Sequence, residues 1–292
     1  MPPLHLLCHC RNVSLNLVTD DNGYTLDHPA YTFLTTYCDA GGAELLFCGY
    51  CGARLARHEG GGRVSPLIGC IDIPKDAASA AVLGGTTIRW EHGMKPEPLS
   101  AGEGDDPQEE ALKGRCLCGA VTFSVLRPPE NYKDDAVLKD WIKPGRKFAT
   151  TLCFCRTCRT TTGAPYWNWT FVPRSLIDIP AASLEALRTY ESSAKVERLF
   201  CGKCGEMCFY KHSVAGGGVM WDVAKDTLRV EGNEKEWFVG VDDGVEETRV
   251  DKYIEGWQEG KCSFEEEGWA FLEKATVEHV AQGWREKWSS DN

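Results

Sequence analysis

The 292-residue chain has no run near the roughly 18 apolar residues of a membrane span. Its start, Met1-Pro2-Pro3-Leu4-His5-Leu6-Leu7, has no basic residue and only a brief apolar stretch, which reads against a secretory leader. No block of Lys or Arg stands out, so the footprint of a phosphate backbone is missing and no nucleic-acid partner is expected. No serine–histidine–acid set, phosphate loop or dinucleotide fingerprint occurs. With 42% hydrophobic and 26% charged residues, the chain reads as a globular protein of the cytoplasm, or of the nucleus, where thiols stay reduced. The formal charge of −11 is uneven. Residues 231–292 carry 17 acidic and 7 basic side chains, which reads as a solvated acidic extension.

Cysteine is what the chain does have, 15 of them. Eleven fall into five clusters that write one pattern twice. The full version is Cys116-Leu117-Cys118, then Cys153-Phe154-Cys155-Arg156-Thr157-Cys158, then Cys201-Gly202-Lys203-Cys204. The short version is Cys8-His9-Cys10, then Cys48-Gly49-Tyr50-Cys51. An odd count and paired spacing argue for zinc ligands over a disulfide framework. The likeness extends past the cysteines. Phe47-Cys48-Gly49-Tyr50-Cys51-Gly52 matches Phe200-Cys201-Gly202-Lys203-Cys204-Gly205, Thr36-Tyr37 matches Thr189-Tyr190, and Asp72 matches Asp222. Fixed offsets of this kind point to one duplicated unit. The first copy lacks about 45 residues, the interval that holds Cys153, Cys155 and Cys158 in the second.

The local signals are mainly β. Val121–Leu126, Tyr166–Val172, Val219–Val223 and Pro66–Ile71 read as strands, the last two ahead of Asp-bearing turns. Helical signals are confined to Asp134–Ile142 and Glu265–Trp288. A Pro-, Gly- and acid-rich linker follows Lys95. The expected organisation is a degenerate zinc domain over 1–95, a linker over 96–110, a complete zinc domain over 111–245, and an acidic, partly helical extension over 246–292.

Cys116, Cys118, Cys201 and Cys204 suit a closed tetrahedral site that ties distant segments together, and Cys8, Cys10, Cys48 and Cys51 suit a second. Cys153, Cys155 and Cys158 supply only three ligands, the arrangement of a catalytic zinc with an open position. Zinc is thus expected at up to three per chain. A small thiol at the open position would be held as thiolate. Arg156 and Arg159 are candidate carboxylate partners and Trp167 a candidate pocket wall. A fourth ligand such as Cys208 or His212 would instead close the site. Cys38, Cys70 and Cys262 have no partner at ligand spacing and read as incidental thiols.

The ordered set Cys-x-Cys-Gly-Ala-Val, Cys-x-Cys-x-x-Cys-Arg with Gly-Ala-Pro, and Phe-Cys-x-x-Cys-Gly resembles the glutathione-dependent formaldehyde-activating enzyme family, which includes centromere protein V. The resemblance implies a mainly β fold: two tandem, zinc-stabilised, tent-like domains of several small coiled sheets. It implies a structural zinc on Cys116, Cys118, Cys201 and Cys204, and a functional zinc on Cys153, Cys155 and Cys158. The implied activity is a carbon–sulfur lyase type reaction on a thiol adduct, with glutathione a candidate co-substrate. The alternative it implies is a non-catalytic zinc scaffold for interactions, resembling centromere protein V. Phe154 departs from the family, which often has His or Asn there.

Overall fold

A computed structural model describes residues 4–20, 23–27, 32–39, 41–60, 62–71, 110–153, 156–164, 167–213, 218–230 and 234–240. Asp72, the linker up to residue 109, Phe154, Cys155, Tyr166, Cys262 and the helix expected over Glu265–Trp288 lie outside them. The described residues are mainly β, in three sheets.

The first sheet contains β1 (Leu4–Leu7), β2 (Ser14–Asp20), β3 (Gly23–Leu26), β4 (Leu34–Cys38), β5 (Glu44–Cys48), β6 (Arg54–Gly60) and β7 (Arg63–Pro66), in the order β1-β2-β3-β7-β6-β5-β4. Its pairings are antiparallel. Period-two alternation sends Leu4, Leu6, Leu15 and Leu17 to one buried face. Each such side chain contributes about 1.5–3 kcal/mol of transfer free energy. After β7 the chain turns as a 3-10 helix over Ile68–Cys70, so the strand expected across Pro66–Ile71 stops at Pro66.

A three-stranded sheet follows, built from β8 (Ala111–Arg115), β9 (Thr122–Leu126) and a later strand. The largest sheet contains β10 (Ile142–Lys143), β11 (Lys147–Cys153) and β12 (Trp167–Pro173), while β13 (Ile177–Asp178) returns to β9. The large sheet then adds β14 (Leu187–Ser193), β15 (Val196–Cys201), β16 (Met207–Ser213) and β17 (Val219–Ala224), in the order β10-β11-β12-β17-β16-β15-β14. A last strand, β18 (Phe238–Gly240), pairs parallel with β11. The helical signal over Asp134–Ile142 resolves into a 3-10 turn, Tyr132–Asp134, and one α turn, Leu138–Trp141. Asp135 Oδ1 accepts the backbone N–H groups of Val137 and Leu138 between them.

The repeated motifs meet each other. Gly52 and Gly205 both sit in the left-handed region, at φ 77° and 72°. A Cβ on Gly52 would lie 2.6 Å from the Phe200 ring, and one on Gly205 would lie 2.7 Å from the Phe47 ring. Each Phe-Cys-x-x-Cys-Gly turn thus seats its Phe on the other's Gly, the reciprocity expected across a two-fold axis. The tyrosines follow suit. Tyr37 packs on the second core beside Leu117 and Cys118, and Tyr190 on the first. Burial pushes both phenols up, and cysteines of the opposite cluster add to the shift: Cys118 and Cys204 for Tyr37, Cys51 and Cys10 for Tyr190.

One contact breaks the reciprocity. Buried Arg54 of β6 donates from Nη1 to Glu206 Oε2 at 3.1 Å and from Nε to the Thr162 carbonyl at 3.1 Å. Beside it, the Gly69 N–H donates to the Gly163 carbonyl at 2.9 Å. Gly69 is glycine for a steric reason, since a Cβ there would lie 2.4 Å from the Ala164 carbonyl oxygen. The segment carrying the first sheet therefore grips the far end of the Arg156–Thr162 helix.

Candidate functional site

Two cysteine tetrads form, each from two turns. Cys8 and Cys10 end β1, and Cys48 and Cys51 end β5; Cys116 and Cys118 join β8 to β9, and Cys201 and Cys204 end β15. Within each tetrad the sulfurs all lie within 4.8 Å of one another. Neighbouring Sγ atoms are 3.4 Å apart for Cys8 and Cys10, 3.7 Å for Cys10 and Cys48, and 3.6 Å for both Cys116–Cys118 and Cys118–Cys201. A tetrahedral zinc with Zn–S bonds of about 2.3 Å spaces its sulfurs about 3.8 Å apart, so the residues fit such an ion. Disulfide bonding would need about 2.05 Å, and the cysteines among the described residues are free thiols. Hydrogen bonds from Cys10 and Cys51 push Cys48 down, while those involving Cys10 and Cys48 push Cys51 up. Cys118 and Cys204 repeat that opposition in the second tetrad. Without a cation the four sulfurs share protons; a divalent cation would ionise all of them.

The turn geometry is common to both tetrads. The Cys8 N–H donates to Val13 O at 3.1 Å and the Arg11 N–H to Cys8 O at 3.0 Å; the Cys116 N–H donates to Val121 O at 2.9 Å and the Gly119 N–H to Cys116 O at 3.0 Å. Val13 N–H and Val121 N–H also donate to the Cys8 and Cys116 sulfurs, at 3.3 and 3.2 Å. The left-handed position of this turn is Gly119 at φ 74° in one case and Arg11 at φ 64° in the other.

Of the middle cluster's described residues, Cys153 ends β11 and Cys158 lies in the Arg156–Thr162 helix. Half-buried Cys153 packs on the small core that holds Cys158, Trp167, Trp169, Phe200 and Met207. Cys158 is buried, and its Sγ accepts Nε1–H of Trp169 at 3.4 Å and Nη2–H of Arg198 at 3.4 Å. Arg198, itself 2% exposed, stacks 5.0 Å from the Tyr210 ring centre and also donates from Nε to Ser192 Oγ. Two N–H donors, one of them cationic, make a cradle suited to a thiolate.

Other expected residues fall in different places. Arg156 faces a surface pocket, whereas Arg159 is 4% exposed and so is not a solvated loop charge. Trp167 is buried with the Arg54 guanidinium 5.4 Å from its ring centre, which makes it a platform for that arginine rather than an open pocket wall. Cys208 donates its S–H to the Glu206 carbonyl within the core that holds Cys116, away from the cluster around Cys158. Asp222, read from its recurrence as a turn residue, instead sits within β17, buried, with His212 Nε2 at 3.2 Å. Burial pushes the Asp222 carboxyl up, and the His212 hydrogen bond opposes the shift.

Residues 142–237 match the family model of the glutathione-dependent formaldehyde-activating enzyme. Over this stretch the chain is similar to that family. The match spans the Cys153–Cys158 cluster and the Cys201–Cys204 turn, but begins after Cys116 and Cys118 and does not reach the first sheet. A crystal structure of a Rhodobacter sphaeroides protein is also similar, at 19% identity, covering 44% of this chain and 97% of that one with a TM-score of 0.29. No curated protein matches the chain. No helix among the described residues is long and apolar enough to cross a membrane.

Sequence reasoning missed Arg198, Arg54 and Glu206. The repeat itself carried a signal for all three. At the offset that aligns Phe47 with Phe200, Arg198 stands where the first copy has Leu45, Glu206 where it has Ala53, and Arg54 where the second has Met207. The strand registers agree, with Tyr37 opposite Leu45 and Tyr190 opposite Arg198.

Proposed function

We propose that the chain is a zinc-dependent enzyme of the carbon–sulfur lyase type, acting on the adduct of a small thiol, with its functional zinc on Cys153, Cys155 and Cys158. The two tetrads hold structural zincs in this reading, within tandem domains over 1–95 and 111–245. The observation that carries it is the environment of Cys158. A ligand in a merely closed site has no need of a buried guanidinium and an indole N–H both aimed at its sulfur.

Zinc, when bound, would stabilise a thiolate and hold its sulfur at the open position. The chain's own side chains do the rest. Trp169 and Arg198 spread the negative charge on Cys158 and fix its direction. Trp167, Phe200 and Met207 keep water from the back of the cluster. Cleavage of the adduct breaks the carbon–sulfur bond as the carbonyl forms from the adduct's hydroxyl. The electron pair leaves on sulfur, and the hydroxyl proton leaves to solvent or a base.

Zinc per chain, measured by elemental analysis on the purified protein and on a Cys153/Cys155/Cys158 triple serine variant, tests this. Three zincs falling to two, with the fold kept and turnover of S-hydroxymethylglutathione lost, is the expected result. Two zincs in both proteins, with no turnover by either, would leave the scaffold reading that the likeness to centromere protein V implies.

A further inference from the structure

One face of the large sheet carries more polar chemistry than Cys158 and its two donors use. Directly opposed residues of antiparallel strands project from the same face, as do residues two apart on one strand. Cys153 stands opposite Trp167; Trp169 and Phe171 follow at two-residue steps; Phe171 stands opposite Asp222, and Asp222 opposite Tyr210. His212 is the next residue of β16 on that face. The His212–Asp222 pair therefore shares a face with Cys153 and with Trp169, whose indole donates to Cys158. Aromatic contacts join the two: Trp169 to Tyr210 at 5.9 Å between ring centres, then Tyr210 to His212 at 5.2 Å. We propose that His212 is the base that takes the hydroxyl proton of the adduct, with Asp222 as the residue that orients it. The proposal rests on the reading of the Cys153–Cys158 cluster as the site of carbon–sulfur cleavage, and names the proton acceptor that this reaction needs.

Three observations support it. First, the pair has the geometry of a base and its orienting group. His212 Nε2 lies 3.2 Å from Asp222 Oδ1, with the imidazole 23% exposed and the carboxyl side chain 7% exposed. A carboxylate that accepts Nε2–H leaves the lone pair at Nδ1 and stabilises the imidazolium once Nδ1 is protonated. Secondly, the pair lies within the field of the cluster. Burial is the main influence on the Asp222 carboxyl, the His212 hydrogen bond opposes it, and the charges of Cys158 and Arg198 reach it in opposite senses. Among the described residues, the other titratable or charged groups sharing this face with His212 on the adjoining elements are Tyr210, Arg198, Cys153 and Cys158; Lys211 and Glu197 pair on the opposite face. Thirdly, the histidine goes with the cluster. Asp222 has its counterpart in Asp72, but Tyr210 and His212 stand where the first copy, which lacks the cluster, has Arg57 and Glu59. In the cleavage step the hydroxyl O–H bond breaks and its proton passes to Nδ1. The O–H electron pair becomes the second carbon–oxygen bond, and the carbon–sulfur pair leaves on sulfur. The imidazolium then returns its proton to solvent.

His212→Gln is the deciding variant, because a Gln amide can still donate to Asp222 but cannot take up a proton. Zinc-loaded full-length wild type and variant are compared on S-hydroxymethylglutathione across pH, alongside zinc content and urea midpoint. The expected result is an unchanged zinc count and midpoint, a kcat lowered by about a hundredfold or more, and loss of the limb of the pH profile that rises with deprotonation of the base. A variant that keeps the wild-type kcat and pH profile makes the pair a structural contact and overturns the proposal. A variant that loses one zinc makes His212 a ligand and overturns it too. Nitrogen-15 NMR of the histidine-labelled, zinc-loaded wild type, with His212 assigned through its own backbone, gives a readout apart from turnover. A proton on Nε2 and none on Nδ1 is expected, and the opposite tautomer overturns the base. Failure of the underlying reading looks different: a wild type that loads zinc but turns over no adduct removes the lyase reaction, and the base with it.

Discussion

Breaking the Arg54–Glu206 pair should cost more stability than removing both partners. The two charges lie 3.1 Å apart, with side chains 2% and 8% exposed. At an effective dielectric constant of about 20 their attraction is about 5 kcal/mol, most of it offset by the cost of taking both from water. Arg54→Met leaves Glu206 buried without its cation and orphans the Thr162 carbonyl. The expected loss is about 3–5 kcal/mol for the charge and about 1 kcal/mol for the hydrogen bond. The Arg54→Met/Glu206→Leu double variant should stay within about 1–2 kcal/mol of wild type, giving a coupling of at least about 2 kcal/mol. Burial already pushes the Glu206 carboxyl up and Arg54 opposes that shift, so the carboxyl rises further once Arg54 is gone. A carboxyl raised in the folded state binds its proton more tightly there than in the unfolded chain. The single variant therefore recovers stability as pH falls towards that raised value, and its deficit should be smaller at pH 6 than at pH 8. Urea unfolding of the zinc-loaded protein, followed by tryptophan fluorescence at both pH values, measures this. A single variant within about 1 kcal/mol of wild type, or losses that simply add in the double variant, would refute the argument that this pair fastens the first sheet to the second segment.

Gly52→Ala and Gly205→Ala should each lower stability by about 2–4 kcal/mol in the same assay, from left-handed strain and from a Cβ forced into Phe200 or Phe47. Similar losses at the two positions are expected, because the contact is reciprocal. Cys201→Ser should remove one zinc from the elemental count and unfold the second segment by circular dichroism, with Cys48→Ser doing the same to the first. Arg198→Met should keep both tetrad zincs and slow turnover of S-hydroxymethylglutathione by about tenfold or more, since a hydrogen bond from a charged donor to Cys158 is worth about 1.5–3 kcal/mol. Unchanged turnover in Arg198→Met would remove that arginine from the site.

The tetrads were legible in the sequence because metal ligation is a local rule: two thiols on a short turn, twice. The strands of the second segment were legible for a similar reason. The alternation of Tyr166–Val172 and the apolar run of Val219–Val223 are written into neighbouring residues, and β12 and β17 fall there. Pro66–Ile71 misled because the chain turns there as a 3-10 helix against the Arg156–Thr162 helix, with Gly69 pressed to the Ala164 carbonyl. That contact spans about 95 residues of chain, and no local pattern encodes it. Asp222 misled in another way. Its recurrence at Asp72 suggested a shared turn, but its partner His212 comes from the adjacent strand β16.

What local rules leave out is carried by the differences between the two copies. A duplicated unit that served only as scaffold would keep apolar residues at equivalent core positions, since a buried charge costs more than it returns unless it is paired. Here the departures are Leu45 against Arg198, Ala53 against Glu206, and Met207 against Arg54. Each puts a charge on one side only, and their contacts converge on one element. Arg198 donates to Cys158, and Arg54 donates to Thr162 while bridging to Glu206. Those contacts reach the middle and the end of the seven-residue Arg156–Thr162 helix. A helix this short cannot hold its own shape by backbone hydrogen bonds alone. It is held instead by side chains drawn from both segments, Arg54 from the first and Arg198 from the second, and that is the physical reason to give the first segment a part in the proposed site.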